Sequence, residues 1–290
     1  MSIKAIHIEL VSDMTSEAFI AALKRFISRR GIPQQLHCDN GSNFIGAQNE
    51  LNNLYHLFKT DNHIKLIYEF LSPQHIRFKF NPPNAPHFGG LWESNIKSVK
   101  SHFYRVSGTT SFTFEEANTL LIQIEAVLNS RPLCAISDDV TSYDALTPSH
   151  FLIGEPLTSI PEPDLSHINS SRMSKWQNIQ NRVQTFWKLW SRDYLHTLNQ
   201  RMIWQNKSNN LNIDQLVIIR DDNTPQSHWI MGRIQQVHCG KDGQVRVATV
   251  KTSTSVIKRP IVKLIPLPIE DNNKCNTVTE GSSKTSPLFK

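Results

Sequence analysis

Two carboxylates stand where the surrounding residues could support metal or phosphate chemistry. Asp39 follows the short run Gln35-Leu-His-Cys38 and leads into Asn40-Gly41-Ser42-Asn43-Phe44. If that run is a strand, Asp39 sits at its carboxyl end, where ligand crevices form in open α/β sheets. Gly41 allows a sharp turn there, so the carboxylate can face a cleft. By itself, Asp-Asn-Gly is also an ordinary turn sequence. Glu93 follows Asn81-Pro-Pro-Asn-Ala-Pro86 and Gly89-Gly90, a stretch that excludes regular structure. A helix opening near Leu91 puts Glu93 in its first turn. Lys97 and Lys100, at i+4 and i+7, then share its face, with Ile96, Val99 and Phe103 opposite. Such a stripe can hold a metal ion with the carboxylate while the amines hold adjacent phosphates. Read as an exposed helix, the same stripe offers a Glu-to-Lys pair worth only about 0.2–0.5 kcal/mol.

The elements that must position these groups follow from periodicity. Residues 3–11 alternate, with Ile6, Ile8 and Leu10 on one face, which predicts a strand. Thr15 and Ser16 offer a cap to a helix whose apolar spacing, Ala18 to Ile27, runs up to Arg29-Arg30; Gly31 and Pro33 stop it. Strand, helix, strand is a right-handed crossover, so the strands at 3–11 and 35–38 are predicted parallel. Residues 47–58 read as a helix and 64–71 as a further turn or two. Ile76, Phe78 and Phe80 alternate with Arg77 and Lys79 as a strand does. Thr113 and Glu116 form a capping box for a helix with Ala117, Leu120, Leu121, Ile124 and Leu128 as its buried stripe, ended by Arg131-Pro132.

The second half changes character. Residues 155–174, rich in Pro and Ser, read as a linker. A long helix follows at about 174–200, its stripe running from Trp176 through Val183, Phe186, Trp187 and Trp190 to Leu198. That stripe packs on a following barrel or on a sister helix, or it serves as an oligomerisation helix. From Ile213 onward, short strands at 215–220, 229–237, 245–250 and 256–258, with 261–264 as a fifth, predict a small SH3-like β-barrel. The polar residues 270–290 predict a disordered tail.

Composition narrows the function classes. Hydrophobic residues make up 39% and charged residues 19%, the balance of a globular chain. Apolar stretches are too short to cross a bilayer, and no basic segment followed by an apolar run opens the sequence. Four cysteines lie far apart with no C-x-x-C pair, which argues against a zinc knuckle or disulfide scaffold. The net charge of +6 is placed unevenly: residues 1–200 hold 18 Lys+Arg against 18 Asp+Glu, and residues 201–290 hold 13 against 7. A basic C-terminal end suits a polyanion, nucleic acid first.

Read together, the motifs are more specific than any one of them. Asp39-Asn-Gly-Ser-Asn-Phe44, then Phe80-Asn-Pro-Pro-Asn-Ala-Pro-His-Phe-Gly-Gly-Leu-Trp-Glu93, then Lys97 and Lys100, resembles the core of retroelement integrases, and the wording before Glu93 resembles the BEL/Pao retrotransposon branch. Lys4-Ala-Ile-His-Ile-Glu-Leu-Val-Ser-Asp13, Leu128-Asn-Ser-Arg-Pro-Leu133 and Leu146-Thr-Pro-Ser-His-Phe-Leu152 are similar too. Trp229-Ile-Met-Gly-Arg-Ile234, Gly243-Gln-Val-Arg-Val247 and Lys258-Arg-Pro-Ile-Val-Lys-Leu264 resemble the DNA- or chromatin-associated module that follows this core.

The resemblance implies a division into a catalytic core at 1–155, a linker at 156–173, a helix plus barrel at 174–268 and a tail at 269–290. It implies an α/β core with a ribonuclease-H-like mixed sheet and flanking helices. It also implies an Asp, Asp, Glu triad that binds two Mg²⁺ (or Mn²⁺) ions for in-line phosphoryl transfer. Asp39 maps onto the second carboxylate and Glu93 onto the third, both as catalytic and metal-binding residues. The first Asp of the family and its strand lie upstream of Met1, and neither Glu9 nor Asp13 matches its position. Asn43, Lys97, Lys100, Arg233, Arg246, Lys258 and Arg259 are the residues expected on DNA, the last four through phosphates. The partners implied are DNA, chromatin and a second copy of the chain, with the nucleus as compartment. The alternative is a non-enzymatic DNA- or chromatin-binding remnant, decayed or adopted by its host. With one triad member absent, this chain alone is expected not to catalyse strand transfer; joined product from DNA ends incubated with it and Mg²⁺ or Mn²⁺ would contradict that.

Overall fold

The computed structural model describes residues 3–39, 42–60, 76–81, 90–137, 139–203, 211–221, 223–240, 243 and 245–267. The helix expected at 64–71, the Pro/Gly segment before Glu93 and the tail at 269–290 lie outside the described residues. The chain forms two compact units that interleave along the sequence. The first comprises Met1–Arg131, Thr147–Asn206 and Asp221–Trp229; the second comprises Pro132–Leu146, Lys207–Arg220 and Ile230–Lys290.

The first unit is built on helices. Helix α1 (Ser16–Arg30) opens where the sequence predicts, with the Thr15 hydroxyl accepting the Ala18 N–H, and closes on Gly31 at φ 85°. Strand β1 (Gln35–Cys38) leads to α2 (Ser42–Thr60), which lies against α1. Gly46 sits at that approach, where a Cβ would come within 2.1 Å of the Ser16 hydroxyl oxygen and force it to rotate away. Phe19 and Phe44 meet edge-to-face beside it, 4.8 Å between centroids. Strand β2 (Arg77–Phe80) shows the expected alternation, with Phe78 and Phe80 half-buried and Arg77 and Lys79 exposed. It pairs with β1 in parallel, from Gln35 opposite Arg77 to Cys38 opposite Phe80.

The parallel neighbour of β1 is therefore β2, and the strand expected at 3–11 does not form among the described residues. Lys4 takes φ 48°, outside the β region, so the ladder geometry is broken at its start. The segment instead lies against α4 (Phe114–Asn129), whose side chains take the place of a neighbouring strand. Asn129, fully buried, accepts the Ile6 N–H at 2.9 Å and donates to the Ile6 carbonyl at 2.7 Å. Glu125 accepts the Ile8 N–H at 2.8 Å, and the Arg131 guanidinium donates to the carbonyls of Ile3 and Lys4. Buried backbone groups must be paired, and side chains can do the pairing as well as a strand.

Helix α3 (Gly90–Ser107), α4 and α6 (Lys175–Ile203) enclose the core of this unit. The capping box of α4 forms as the sequence predicts, and Leu120, Ile124 and Leu128 are buried, joined by Val127. Short α5 (His150–Ile153) follows. The stripe of α6 divides: Val183, Phe186, Trp187 and Trp190 are buried, whereas Trp176 is 52% exposed. Trp229 completes an aromatic cluster with Trp187, Trp190 and Tyr194, and its indole N–H donates to the Ser130 hydroxyl. The sister-helix alternative for this stripe is thus realised, with α6 packed on α3 and α4. The predicted linker is strapped to α6: Leu165 is buried, and its N–H donates to the Gln184 side chain.

The second unit holds the short antiparallel pair β3 (Cys134–Ala135) and β4 (Ala145–Leu146). It also holds a five-stranded antiparallel sheet of β5 (Leu216–Ile219), β6 (Met231–Cys239), β7 (Val245–Thr252), β8 (Val256–Pro260) and β9 (Leu264–Pro266). The strand order is β8-β7-β6-β5-β9. All five strands were anticipated, but the fifth begins at Leu264 because Ile261–Lys263 form a 3₁₀ turn after Pro260. Val217, Ile219, Ile234, Ala248, Val250 and Leu264 form the core. Gly232 is obligatory at the β6–β7 crossing, where a Cβ would meet Val250 at 2.5 Å and the Lys251 carbonyl at 2.8 Å.

The 3–11 segment also carries a charged network with a pH signature. His7 bridges Glu125 and Glu9, Arg30 pairs with Glu125, and Arg25 and Arg29 pair with Glu9. The Glu125 hydrogen bond, against the opposing effect of burial, raises His7 above its ordinary 6.5. Burial pushes both carboxyls up, but the bonds from His7, Ile8 N–H and Arg30 to Glu125, and from Arg25 and His7 to Glu9, outweigh it and hold both below their ordinary 4.5. The raised histidine stabilises fully below pH 6.5 and loses its contribution as pH climbs through its folded value; the depressed carboxyls stabilise above pH 4.5 and lose theirs in acid. The network therefore contributes most between those two values. Urea-denaturation midpoints followed from within this range to well above pH 6.5 should fall on the alkaline side, and His7→Gln should flatten that fall relative to the parent; identical profiles would refute the assignment.

Candidate metal and nucleic-acid site

Parallel pairing puts the carboxyl ends of β1 and β2 side by side, and the Asn81 N–H donates to the Cys38 carbonyl at 3.0 Å to extend the ladder. Asp39 leaves this edge directly and is exposed, while Cys38 before it is buried. Burial, aided by the Asp39 charge, pushes the Cys38 thiol up to about 11, so Cys38 is a neutral filler under the edge and not a nucleophile or thiolate ligand. Asn43, second residue of α2, is half-buried within a few residues of Asp39 along the chain.

The remaining expected site residues of this unit lie on α3. Glu93 lies in its first turn, as the sequence predicts; its side chain is outside the described residues. Further along, Val99, His102 and Val106 are buried and Ile96 and Phe103 half-buried, whereas Lys97 and Lys100 are exposed. The buried face thus fixes the rotation of α3 and turns the two amines to solvent one helical turn apart. Both strands and helix belong to the first unit. Among the described residues, no group of three or more His, Cys, Asp or Glu side chains is arranged to hold a metal ion.

The cations expected on DNA in the second unit divide by geometry. Arg233 is 7% exposed, and its guanidinium donates to the carbonyls of Ser142 (2.9 Å), Asp214 (2.8 Å) and Ser137 (3.0 Å). This makes Arg233 a clamp that ties β6 to the β3–β4 connection and the start of β5, in place of the phosphate contact expected of it. Lys258 and Arg259 are successive residues of β8 and so point to opposite faces. Lys258 stands opposite Thr249 and is exposed; Arg259 stands opposite the buried Ala248 and is half-buried. Arg246 is exposed on β7, where the register against β6 shifts. The sequence reading missed Asn129, Arg131 and Glu125 as the residues that fix the 3–11 segment. The available signal was a run of polar groups, Asn129-Ser-Arg131, at the end of an apolar helical stripe.

Three comparisons with known proteins bear on the chain. Residues 174–267 match the model of a family of unknown function (DUF5641). No curated protein matches. Among solved structures, a chain of the simian T-cell lymphotropic virus intasome in complex with the PP2A regulatory subunit B56 gamma, determined by cryo-electron microscopy, is 14% identical at a TM-score of 0.30. The likeness covers 88% of the present chain, which spans 66% of the length of that one. No helix among the described residues is long and apolar enough to cross a membrane.

The geometry of Arg233 makes a sharp distinction testable. Arg233→Ala leaves three carbonyls without their charged donor and should lower stability by about 2–4 kcal/mol in chemical denaturation, whereas exposed Lys258→Ala should stay within about 0.5 kcal/mol of the parent. Equal effects would contradict the clamp.

Proposed function

We propose that this chain is part of an integrase-type protein of the BEL/Pao retrotransposon kind, whose complete form carries out metal-dependent phosphoryl transfer on DNA, while this chain alone binds DNA without joining strands. The observation that carries the reading is the parallel β1–β2 pair. It sets Asp39 at a sheet edge beside the strand that leads on to α3, the helix bearing Glu93, Lys97 and Lys100. The motif wording around both carboxylates supports the same reading independently of that geometry.

Each group then has a role its chemistry allows. Asp39 and Glu93 offer hard oxygen ligands of the kind Mg²⁺ and Mn²⁺ prefer; the ion's remaining positions would be filled by water and phosphate oxygens. Divalent ions, when bound, supply Lewis-acid polarisation of the phosphodiester. Lys97 and Lys100 neutralise backbone phosphates beside the carboxylates, with the Asn43 amide as a neutral neighbour. Arg246, Lys258 and Arg259 on the second unit provide further phosphate contacts without base readout. A homo-oligomer that holds two DNA ends, in the nucleus, belongs to the same proposal.

Fluorescence anisotropy with duplex DNA between about 50 and 200 mM salt tests it. Lys97→Ala with Lys100→Ala should weaken binding and flatten the log-log salt slope by about 1.8, near 0.9 per lost phosphate contact. Mn²⁺ binding, followed by paramagnetic broadening, should be lost in Asp39→Asn. Unchanged slope and unchanged Mn²⁺ binding would overturn the reading. Salt-sensitive DNA binding in a parent chain that binds no Mn²⁺ would favour the non-enzymatic alternative.

A further inference from the structure

Within the first unit, the strap at 160–164, the middle of α6 and the loop at 223–226 line a cavity of about 90 Å³. A single water needs about 10–15 Å³ of such space, and a drug-sized ligand about 300–1,000 Å³ of pocket. The cavity is therefore the size of a side-chain head group.

Its hydrogen bonding leans toward acceptors. Four donors around it are engaged within the protein: Gln180 Nε2 on Glu162 Oε1 (2.9 Å), Gln184 Nε2 on the Pro163 carbonyl (2.9 Å), the Trp187 indole N–H on the Thr224 carbonyl (3.2 Å), and the Thr224 hydroxyl on the Asp221 carbonyl (3.3 Å). Two acceptors remain. Glu162 Oε2 and Gln226 Oε1 are buried, and among the described residues no protein group donates to either. A buried acceptor without a donor is costly, the more so for a carboxylate. The charge is one-sided as well. Among the described residues lining it, Glu162 and Asp164 face one cation, Lys188, whose ammonium lies 3.4 Å from both Asp164 oxygens. The Ser166 N–H and hydroxyl hold the Asp164 carboxyl down at about 2, so it is ionised at all ordinary pH.

We infer that this cavity binds a small monocation rich in N–H donors, a guanidinium or ammonium head, received by Glu162 Oε2 and Gln226 Oε1 against the Trp187 wall. Two acceptors beside the Trp187 indole suit a guanidinium best, since its planar fork carries several N–H donors and its weak hydration suits an aromatic neighbour. The same chemistry can arrive as a free small guanidine or as an arginine side chain on a peptide.

Isothermal titration calorimetry of the full chain tests this with methylguanidinium chloride, its neutral counterpart methylurea, and a blocked Gly-Arg-Gly peptide. Methylguanidinium should bind at one saturable site and methylurea should not. Glu162→Gln, which keeps the shape and the Gln180 contact, should weaken binding about tenfold for loss of a charge-assisted bond, with circular dichroism and melting unchanged. Lys188→Met, on an exposed side chain, should tighten it by removing the competing cation. Peptide binding at least about tenfold stronger than methylguanidinium identifies a polypeptide source, and equal binding identifies the free cation. No saturable heat, equal heats for methylurea, or indifference to both substitutions would mean that the cavity takes only water, and the inference would fall.

Discussion

A backbone N–H or carbonyl buried without a partner costs free energy on the scale of a lost hydrogen bond, so every buried segment must find its partners somewhere. In the first unit that demand is met by α4. Asn129 presents an acceptor and a donor to the two sides of Ile6, as a neighbouring strand would, while Glu125 and Arg131 serve the residues on either side. Ile6 and Ile8 can then join the core that α3, α4 and α6 share. The burial of Val99 and Val106 in that core sets the rotation of α3, and with it the direction in which Lys97 and Lys100 face. The chemistry proposed for α3 thus rests on a polar clasp at the far end of a different helix.

The same economy governs the second unit. A small sheet has too little apolar surface to fix its loops by packing alone, and buried cations can do so if every N–H is matched. Arg233 matches three carbonyls from segments far apart in sequence. Its planar fork suits the task in a way a lysine would not, because the donors diverge in fixed directions. The positive charge near the C-terminal end is consequently not all surface charge, and the exposed remainder is shared between the faces of the sheet.

Asp39 and Cys38 show how one residue step separates an exposed group from a buried one. The alternation of β1 buries the thiol and exposes the carboxylate that follows. The carboxylate lies at the surface of the sheet edge, while burial keeps the thiol protonated under it.

Local elements were legible because their causes are local. The Thr15 cap, Gly31, the Thr113–Glu116 box, the alternation of 76–80 and the turn-separated strands after Ile213 each depend on residues within one or two turns of chain, and each formed near where the residues required it, the last strand being displaced to Leu264 by a 3₁₀ turn. What the sequence could not decide was partnership between distant segments. An alternating run such as 3–11 is equally content beside a strand or beside polar side chains of a helix, and only the arrival of Asn129, 123 positions later, settles which. The choice of β2 as the neighbour of β1, the inward turn of Arg233 and the splitting of the tryptophan stripe are of the same kind. Pattern records which face of an element is apolar; which surface covers that face is fixed only when the chain closes on itself and each buried polar group has found its partner.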